Sequence, residues 1–418
     1  MNDNHSSNEF PYIDRWITSL FSKASKTYKV VVLTGARQVG KSTFLHNAPG
    51  IKNWPYITLD DFDVLETAEK EPKTLLADKE HLIIDEVQKA PRLLAAIKQE
   101  VDSPGKKKRF LLSGSANLLL MHKVSESLAG RAVYHVMRPF TMGEIQKRSP
   151  SHLLELLFSS KPLKNLSAEF AHEKLENLII RGFLPPAVMQ FNKLPDVIGW
   201  LEGFVATFLE RDLRQLAQID NLPDFKRLMG FLALRSGQML NQTEISRDAN
   251  IPQPTVHRYL NLLETSFLFE RIPAYAVSRT KRLIKTPKIY WNDTGLACFL
   301  MGHHLPSELK KSRDWGALFE SLVFHHLKVW ASLNVPSPNI FYWRTAAGQE
   351  IDFVVEWGDK LAAIEIKASP NVKYSDADNL RVFMEEYPEA VFGIIVYTGR
   401  EIKQIGKKIW VIPWELLV

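Results

Sequence analysis

Residues 35–43 have the types and the spacing that bind a nucleoside triphosphate. They read Gly-x-x-x-x-Gly-Lys-Ser-Thr. The backbone N–H groups of such a loop turn inward around phosphate, the lysine reaches the outer phosphates, and the serine hydroxyl binds Mg²⁺. A helix that begins directly after the loop adds the positive end of its dipole. We therefore predict an ATP- and Mg²⁺-binding loop formed by Gly35, Ala36, Arg37, Gln38, Val39, Gly40, Lys41, Ser42 and Thr43.

A pair of carboxylates follows a second apolar run. Residues 81–84 read as a buried strand and lead directly into Asp85 and Glu86. In this position Asp85 would hold Mg²⁺ through water, and Glu86 would polarise the attacking water. The alternative is a strand that simply ends in an acidic turn. The phosphate-binding loop upstream favours the catalytic interpretation.

Polar residues also follow a third strand, over residues 109–112. In the P-loop ATPases with an additional strand, such a residue lies between the other two motifs and senses the γ-phosphate. We predict Ser115 as this catalytic sensor, with Asn117 as the second candidate. The alternative role for either side chain is to cap a helix.

Several arginines could meet a γ-phosphate, either in the same chain or from a neighbouring subunit. An arginine supplied in this way accelerates hydrolysis by orders of magnitude. We predict Arg131, in a loop before a strand-like segment, as the catalytic arginine. Arg37, Arg211 and Arg214 are further candidates, and a structural surface role is the alternative for each.

A second group of reactive residues lies near the C-terminus. Asp352 is in one predicted strand, and Glu365 and Lys367 are two apart on the next, so they point to the same face. The order resembles that of PD-(D/E)XK nucleases. Asp352 and Glu365, with Glu320 from a preceding helix, would hold Mg²⁺ or Mn²⁺, and Lys367 would orient water or stabilise negative charge. The alternative is a solvated edge with an ion pair.

The elements that must position these residues divide the chain into four predicted regions. Residues 1–150 predict an α/β P-loop core, in which residues 30–33 have the β-branched character of a central parallel strand. The helical spacing of residues 151–235 predicts a helical lid. Residues 236–310 are predicted to form a winged helix, and residues 311–418 a PD-(D/E)XK nuclease-like α/β domain.

The winged-helix prediction depends on two helical segments within residues 241–265, separated by a turn around Asn250. Residues 267–272 and 288–291 would pair as strands of a basic wing. In such a module the second helix enters the major groove and the wing contacts phosphates. The alternative is a module that only packs against its neighbours. The residues predicted to approach DNA are Gln253, Thr255, His257 and Arg258, with Arg279, Lys281, Arg282, Lys285 and Lys288 in the wing.

The composition of the chain is compatible with a DNA-binding winged helix but does not require one. The chain has 418 residues, which suggests roughly two to four domains, and its formal charge of +6 is compatible with a nucleic-acid partner. Cys298 is the single cysteine, so no disulfide can form within the chain. The polar N-terminus has no signal-peptide core, and no apolar run approaches a membrane span. We therefore expect a cytoplasmic protein.

Together these segments resemble a family of prokaryotic AAA-superfamily ATPases whose C-terminal domain is uncharacterised and restriction-endonuclease-like. The resemblance covers most of the chain and implies an ATP-binding protein acting on DNA. It is carried by GARQVGKS (35–42), LIIDEVQ (82–88), LLSGSA (111–116), LAGR (128–131), FLERDL (208–213), NDTGL (292–296), EIDFVV (350–355) and IEIK (364–367).

Three hypotheses follow. The first is an ATP-hydrolysing motor or switch that acts on DNA as a homo-oligomer, since sites of this type are commonly completed across a subunit interface. The second is an ATP-stimulated, metal-dependent nuclease. The third is a nucleotide-dependent scaffold for a protein partner, without enzymatic activity.

Overall fold

The structure is a computed structural model that describes residues 10–77, 79–105, 107–114, 128–160, 173–208 and 221–418. It contains two sheets of different character and a small strand pair between them in sequence. The first sheet carries the nucleotide-binding segments, and the second carries the C-terminal carboxylates.

The first sheet has five parallel strands in the order β2-β3-β4-β1-β5. Its strands are β1 (Val30–Thr34), β2 (Tyr56–Thr58), β3 (His81–Asp85), β4 (Arg109–Ser113) and β5 (Ala132–Val136). All five residues of β1 are buried, as its β-branched run predicts. The additional strand β4 lies between β1 and β3, which confirms the predicted α/β core. The loops that follow β1 and β3 therefore meet at one edge.

Short helices surround this sheet and begin at local signals in the sequence. Asp61 caps the helix Phe62–Lys70 by accepting hydrogen bonds from the backbone N–H groups of Asp63 and Val64. Proline occupies the first turn of two others. The helices are Thr18–Thr27, Lys41–Asn47, Phe62–Lys70, Pro72–Leu76, Pro91–Asp102 and Met142–Ile145.

The middle of the chain is helical in the residues that the structure describes. Its helices are Leu153–Phe158, Leu175–Arg181, Pro185–Met189, Leu194–Thr207, Leu222–Ala233, Gln242–Ala249, Gln253–Thr265, Arg279–Ile284, Thr294–Met301 and Pro306–Leu309. Asn250 adopts φ 52° and ψ 48°, the left-handed conformation that asparagine tolerates, and makes the turn between two of these helices. An antiparallel pair follows, β6 (Phe269–Ile272) and β7 (Lys288–Trp291).

One expectation for this region is wrong. Lys288 does not belong to an exposed basic wing, because it is 2% exposed and lies against the C-terminal domain. Arg282 is also withdrawn from solvent and pairs with Glu356. A short helix, Arg279–Ile284, connects β6 to β7, and it leaves Arg279, Lys281 and Lys285 exposed.

The second sheet is mixed and has the order β12-β13-β11-β10-β9-β8. Its strands are β8 (Asn339–Arg344), β9 (Glu350–Trp357), β10 (Lys360–Lys367), β11 (Ala390–Tyr397), β12 (Lys403–Gly406) and β13 (Ile409–Pro413). Alternate residues of β10 face different cores. Ala362 and Ile364 pack with the helix Trp315–Leu333, and Leu361 and Ala363 pack with the helix Asp378–Glu386.

Buried polar contacts join the C-terminal helix Trp315–Leu333 to the first domain. Nε2 of His325 contacts the carbonyl oxygen of Phe140 at 2.9 Å. Nε2 of His326 accepts a hydrogen bond from the backbone N–H of Met142 at 3.0 Å. Burial lowers the pKa of His326 to about 4, so this histidine is neutral at pH 7. The segment after β5 is therefore held against the helix that carries Glu320.

Within the described ranges, no helix combines the length and the apolar character needed to cross a bilayer.

Candidate nucleotide site and carboxylate cluster

The loop between β1 and the helix Lys41–Asn47 has a backbone that requires its glycines. Gly35 adopts φ 145°, and a Cβ at this position would lie 2.2 Å from the carbonyl oxygen of Met137. Gly40 adopts φ 89° and precedes the helix directly. The Nζ of Lys41 donates to the carbonyl oxygens of Gly35 at 3.1 Å and Ala36 at 2.8 Å. The lysine is thus held inside the loop.

Asp85, at the end of β3, collects hydroxyl donors from three neighbouring elements. Its Oδ2 accepts from the Oγ of Ser42 and from the OH of Tyr56, each at 2.6 Å. Its Oδ1 accepts from the Oγ of Ser113 and from the backbone N–H of Glu86. The structure therefore brings the predicted Mg²⁺ ligands Ser42 and Asp85 together.

The two adjacent carboxyl groups have opposite electrostatic environments. Burial acts to raise the pKa of Asp85, but the hydrogen bonds from Ser113, Ser42 and Tyr56 outweigh it and lower that pKa. Burial and the charge of Asp85 raise the pKa of Glu86, against the opposing charge of Lys41. Asp85 is thus held as an anion that suits a divalent cation, and Glu86 is the better proton acceptor.

Glu86 also has an unusual backbone. It adopts φ 55° and ψ 37°, a left-handed conformation that is uncommon for a residue with a Cβ. The side-chain amide of Gln88 donates to its Oε2. The strained turn and this hydrogen bond fix the direction of the Glu86 carboxylate at the edge of the sheet where the phosphate loop lies.

Sequence reasoning missed Tyr56 and Ser113. Tyr56 begins β2 and its ring lies 3.9 Å from that of His46, centroid to centroid. Ser113 ends β4 in register with Leu33 of β1. A signal for Ser113 was available, because β4 was expected between the other two motif strands and its last residue is polar. Nothing local in the sequence marks Tyr56.

Arg15 is a further missed residue, and it supports the loop from behind. Its Nη1 donates to the carbonyl oxygen of Val39 at 3.0 Å, and its Nη2 donates to that of Arg138 at 2.5 Å. Its Nε donates to Oε1 of Glu144 at 3.1 Å within a buried ion pair. The guanidinium therefore ties the phosphate loop to the segment that follows β5.

The remaining predicted residues of this site have different outcomes. Ser115 and Asn117, and also Arg211 and Arg214, lie outside the described residues. Arg131 precedes β5, whose first residue, Ala132, is in register with Val30 at the start of β1. It pairs with Asp102, Nε to Oδ1 at 2.6 Å. The loop that would bind phosphate follows the other end of β1, roughly 13 Å along the strand.

The C-terminal residues lie on the elements that the sequence predicted. Asp352 is on β9 and Glu365 and Lys367 are on β10, which is antiparallel to it. Oδ2 of Asp352 accepts from the backbone N–H of Ile366 at 2.8 Å. Oε1 of Glu365 accepts from Nζ of Lys367 at 2.9 Å. Glu320 extends from the helix Trp315–Leu333.

The ammonium of Lys288 lies among these carboxylates, and no local pattern in the sequence predicts this position. Its Nζ is 2.5 Å from Oε1 of Glu350, 3.5 Å from Oε1 of Glu320 and 3.8 Å from Oδ1 of Asp352. The OH of Tyr290 donates to Glu320 as well. We call Lys288, Glu320, Glu350, Asp352 and Glu365 the carboxylate cluster.

Charges within the cluster shift one another's pKa values. Burial, together with the charge of Asp352, raises the pKa of both Glu320 and Glu365. Burial acts to lower the pKa of Lys288, but the surrounding carboxylates outweigh it and raise that pKa. Lys288 therefore stays protonated and supplies positive charge to the cluster.

The residues of the cluster do not form a metal site in this arrangement. Among the described residues, no group of three or more His, Cys, Asp or Glu side chains is placed to hold a metal ion. The oxygen ligands suit Mg²⁺ or Mn²⁺ chemically. However, the Lys288 ammonium stands at the position where the charges of Glu320, Glu350 and Asp352 converge.

Comparisons with known protein families match three parts of the chain. A family described as "AAA domain" matches residues 27–146. Two families, each described as a domain of unknown function, match residues 172–307 (DUF8612) and residues 315–417 (DUF4143).

Two relatives are similar enough to show which family this chain belongs to. The uncharacterized proteins Mb2031c of Mycobacterium bovis and Rv2008c of Mycobacterium tuberculosis are each 33% identical to this chain over 350 residues, covering 83% of this chain and 72% of the relative. This chain belongs to their family. With its AAA domain, it is an AAA-superfamily ATPase that binds nucleotide.

Other matches to this AAA-type ATPase are more distant. An uncharacterized protein of Haemophilus influenzae is 24% identical over 417 residues, covering 93% of this chain and 94% of the relative. Among solved structures, the Walker-type ATPase paby2304 of Pyrococcus abyssi is 17% identical with a TM-score of 0.45. That match covers 69% of this chain and 96% of that chain.

Proposed function

We propose that this AAA-type ATPase hydrolyses ATP at the edge of the first sheet and uses the cycle to act on DNA as a motor or switch. The proposal of ATP hydrolysis depends on the arrangement of side chains around Asp85. Its carboxylate lies 2.6 Å from the Ser42 hydroxyl, and the adjacent Glu86 has a raised pKa and a fixed direction.

Each residue of this arrangement has a role that its chemistry supports. Lys41, held inside the loop, neutralises the outer phosphates. Ser42 and Asp85 would hold Mg²⁺, which when bound neutralises phosphate charge. Glu86 accepts a proton from the attacking water, since its raised pKa makes it a stronger base than an ordinary glutamate.

The substitution Glu86→Gln tests the hydrolysis. Gln keeps the size and the hydrogen-bonding capacity of the side chain but cannot accept the proton. We expect steady-state ATP turnover to fall by about a hundredfold or more, while calorimetry gives an unchanged ATP affinity. The matched control is Glu69→Gln, an exposed glutamate on the helix Phe62–Lys70. Turnover in Glu86→Gln equal to that of the control would remove Glu86 from the mechanism.

The proposed contact with DNA is supported by exposed polar and basic residues on the second of two helices joined by a turn, Gln242–Ala249 and Gln253–Thr265. Gln253, His257 and Arg258 are exposed near the start of the second helix, and Thr255 is half-buried. Arg258 also lies over the ring of Tyr259, at 5.4 Å from its centroid. The connection between β6 and β7 adds the exposed charges of Arg279, Lys281 and Lys285.

A salt titration tests DNA contact. We compare binding of duplex, single-stranded and branched DNA by wild type and by the triple variant Arg279→Gln, Lys281→Gln, Lys285→Gln, with and without ATP. If these residues contact phosphates, the variant binds more weakly and its affinity depends less steeply on salt, because fewer counterions are released. Identical affinities and salt slopes would contradict the proposed DNA surface.

A homo-oligomer would complete the ATP site with an arginine in trans. Arg131 supports this proposal because it lies at the far end of β1 from its own phosphate loop. Mixing Lys41→Ala and Arg131→Ala proteins is the test. If Arg131 acts across an interface, the mixture regains ATPase activity that neither variant has alone. No recovery in a mixture shown to form joint oligomers would reject it.

Nuclease activity ranks below this proposal. The position of the Lys288 ammonium among Glu320, Glu350 and Asp352 favours charge neutralisation by a lysine in this conformation. Metal-dependent cleavage would need that arrangement to change.

A further inference from the structure

Two adjacent aliphatic side chains project into solvent from the connection between β6 and β7. Leu283 is 85% exposed and Ile284 is 77% exposed, and both lie in the helix Arg279–Ile284. Every residue at positions 277–286 except Arg282 is exposed. Adjacent aliphatic side chains are unfavourable in water, so their exposure here indicates a surface that a partner covers. We call Leu283 and Ile284 the apolar pair.

Arg282 anchors this helix to the C-terminal domain. Its Nη1 and Nη2 donate to the two carboxylate oxygens of Glu356 at 3.0 and 2.9 Å. Its guanidinium also lies 4.5 Å from the ring centroid of Tyr275 and 4.8 Å from that of Phe341. Because paired hydrogen bonds to a carboxylate fix the direction of a guanidinium, the helix is held in one orientation.

Both ends of the connection are also fixed, and both by Tyr342 of β8. The backbone N–H of Tyr275 donates to the carbonyl oxygen of Tyr342 at 2.6 Å. At the other end, the OH of Tyr342 donates to the carbonyl oxygen of Thr286. The residues between these two contacts therefore project from a rigid base, which lowers the entropic cost of inserting them into a partner.

The geometry of the helix places basic side chains beside the apolar pair. Successive residues are roughly 100° apart around a helix, so Ile284 points about 160° away from the anchoring Arg282. Arg279 precedes Leu283 by four residues, and Lys281 precedes Ile284 by three. Each aliphatic side chain thus has a basic neighbour one turn earlier on its own side of the helix. The surface that faces solvent is an apolar pair bordered by cations.

Duplex DNA is the partner that this surface fits best. The minor groove has phosphates along both edges and stacked bases between them, and proteins that bind it insert leucine or isoleucine between base steps. The strand pair that carries the connection also packs on the helix proposed to contact DNA, since Nη2 of Arg271 donates to Oδ1 of Asn261 at 2.8 Å. This continuity with the proposed DNA surface favours DNA over a lipid surface as the partner.

We propose that the apolar pair is a wedge that enters the minor groove of duplex DNA and unstacks a base step. The flanking cations contact the phosphates on either side of that step; they are Arg279, Lys281 and Lys285. The inference rests on the DNA binding proposed above and adds the form of DNA that is preferred. Unstacking is easier where base pairing is already weakened or where the step is deformable. This AAA-type ATPase therefore prefers duplex DNA that contains a mismatch.

Two versions of one short duplex test the wedge, one fully paired and one with a central mismatch. Both carry 2-aminopurine at the central step, because the fluorescence of this base rises when stacking is lost. Wild type is compared with the double variant Leu283→Ser, Ile284→Ser in the full chain, with and without ATP. The matched control is Phe62→Ser, which removes an equally exposed apolar side chain from the first domain.

We expect wild type to bind the mismatched duplex about tenfold more tightly than the paired one, since part of the unstacking cost is already met there, and to raise the fluorescence of both. The double variant should keep the salt dependence of wild type, because its cations are intact. It should lose the preference for the mismatch and the fluorescence change. Its Tm should equal that of wild type, because both replaced side chains are exposed. Phe62→Ser should behave as wild type throughout.

The results that would reject the wedge differ from those that would reject DNA binding. If wild type binds both duplexes with a steep salt dependence but with equal affinity and no fluorescence change, the wedge is wrong and the DNA surface stands. If wild type binds neither duplex, both proposals are wrong. A fluorescence change that the double variant retains, while it loses binding to phosphatidylglycerol vesicles, would assign the apolar pair to a lipid surface and reject the wedge.

Discussion

The hydroxyl of Tyr56 donates a 2.6 Å hydrogen bond to Oδ2 of Asp85, the same oxygen that accepts from Ser42. Tyr56 lies at the start of β2, which is next to β3 in the sheet. The tyrosine thus reaches along the sheet to the carboxylate at the end of the neighbouring strand. This contact makes Tyr56 a positioning residue for Asp85.

Removing this hydroxyl should weaken hydrolysis more than ATP binding. A hydrogen bond to a charged group contributes about 1.5–3 kcal/mol, so we expect kcat of Tyr56→Phe to fall roughly tenfold. The Mg²⁺ concentration for half-maximal rate should rise, which a purely structural role would not cause. Steady-state kinetics over a Mg²⁺ series measure both. Tyr28→Phe, an exposed tyrosine, is the control, and an unchanged Mg²⁺ dependence would contradict the assignment.

The buried guanidinium of Arg15 should be irreplaceable by an ammonium. Arg15→Lys keeps the charge but cannot contact the carbonyl oxygens of Val39 and Arg138 together with Glu144. We expect the free energy of unfolding to fall by about 3 kcal/mol and affinity for a non-hydrolysable ATP analogue to weaken. Denaturant unfolding and calorimetry measure these effects. Arg92→Lys, at an exposed helical position, should change neither.

The ionised carboxylate of Glu270 should stabilise the folded protein at neutral pH, and this contribution should be lost in acid. Burial acts to raise its pKa, but Arg138 and Lys328 outweigh burial and lower the pKa to about 2 from an ordinary 4.5. A depressed pKa stabilises the folded state fully above pH 4.5, and this contribution, about 3 kcal/mol, is lost as the pH falls towards 2. Glu270→Gln should therefore be less stable than wild type at pH 7.

The difference between Glu270→Gln and wild type should shrink as the pH is lowered below 4.5, because wild type then becomes protonated too. Unfolding free energies at a series of pH values test this. Glu69→Gln, at an exposed position, controls for the general effect of removing a negative charge. A difference that stays constant from pH 7 to pH 3 would exclude the ion pairs with Arg138 and Lys328 as its cause.

Arg282 and Lys281 should have different roles. We expect Arg282 to stabilise the fold and Lys281 to contact DNA. Arg282 donates to both carboxylate oxygens of Glu356, at 2.9 and 3.0 Å, and lies over the ring of Tyr275. Arg282→Lys should lower stability by about 1–2 kcal/mol, since lysine cannot make the paired hydrogen bonds. Lys281→Gln should leave the Tm unchanged and weaken DNA binding. If Arg282→Lys instead weakened DNA binding without changing stability, Arg282 would act at an exposed surface and the assignment would be wrong.

The nucleotide-binding edge was largely predictable because its signals are local. Strand β1, the glycines of the phosphate loop and the carboxylates after β3 are each encoded within a few residues. Parallel strands place their carboxyl ends at one edge, which is why the predicted Mg²⁺ ligands Ser42 and Asp85 lie close together. The same local logic predicted β10 as Lys360–Lys367 and the turn at Asn250.

The partners of these residues were not predictable, because they come from distant positions in the chain. Tyr56 and Asp85 are 29 positions apart, and Arg15 and Glu144 are 129 apart. No periodicity or motif links such residues. The position of Arg131, close to Asp102 and away from its own phosphate loop, likewise follows from strand register.

The sequence by itself determined which residues could bind a triphosphate and which carboxylates share the C-terminal sheet. Only the tertiary structure decided that a lysine expected in an exposed wing instead lies among those carboxylates. The physical reason is that a buried ammonium and buried carboxylates each require an opposite charge, and only packing of β7 against the C-terminal domain brings Lys288 within 2.5 Å of Glu350.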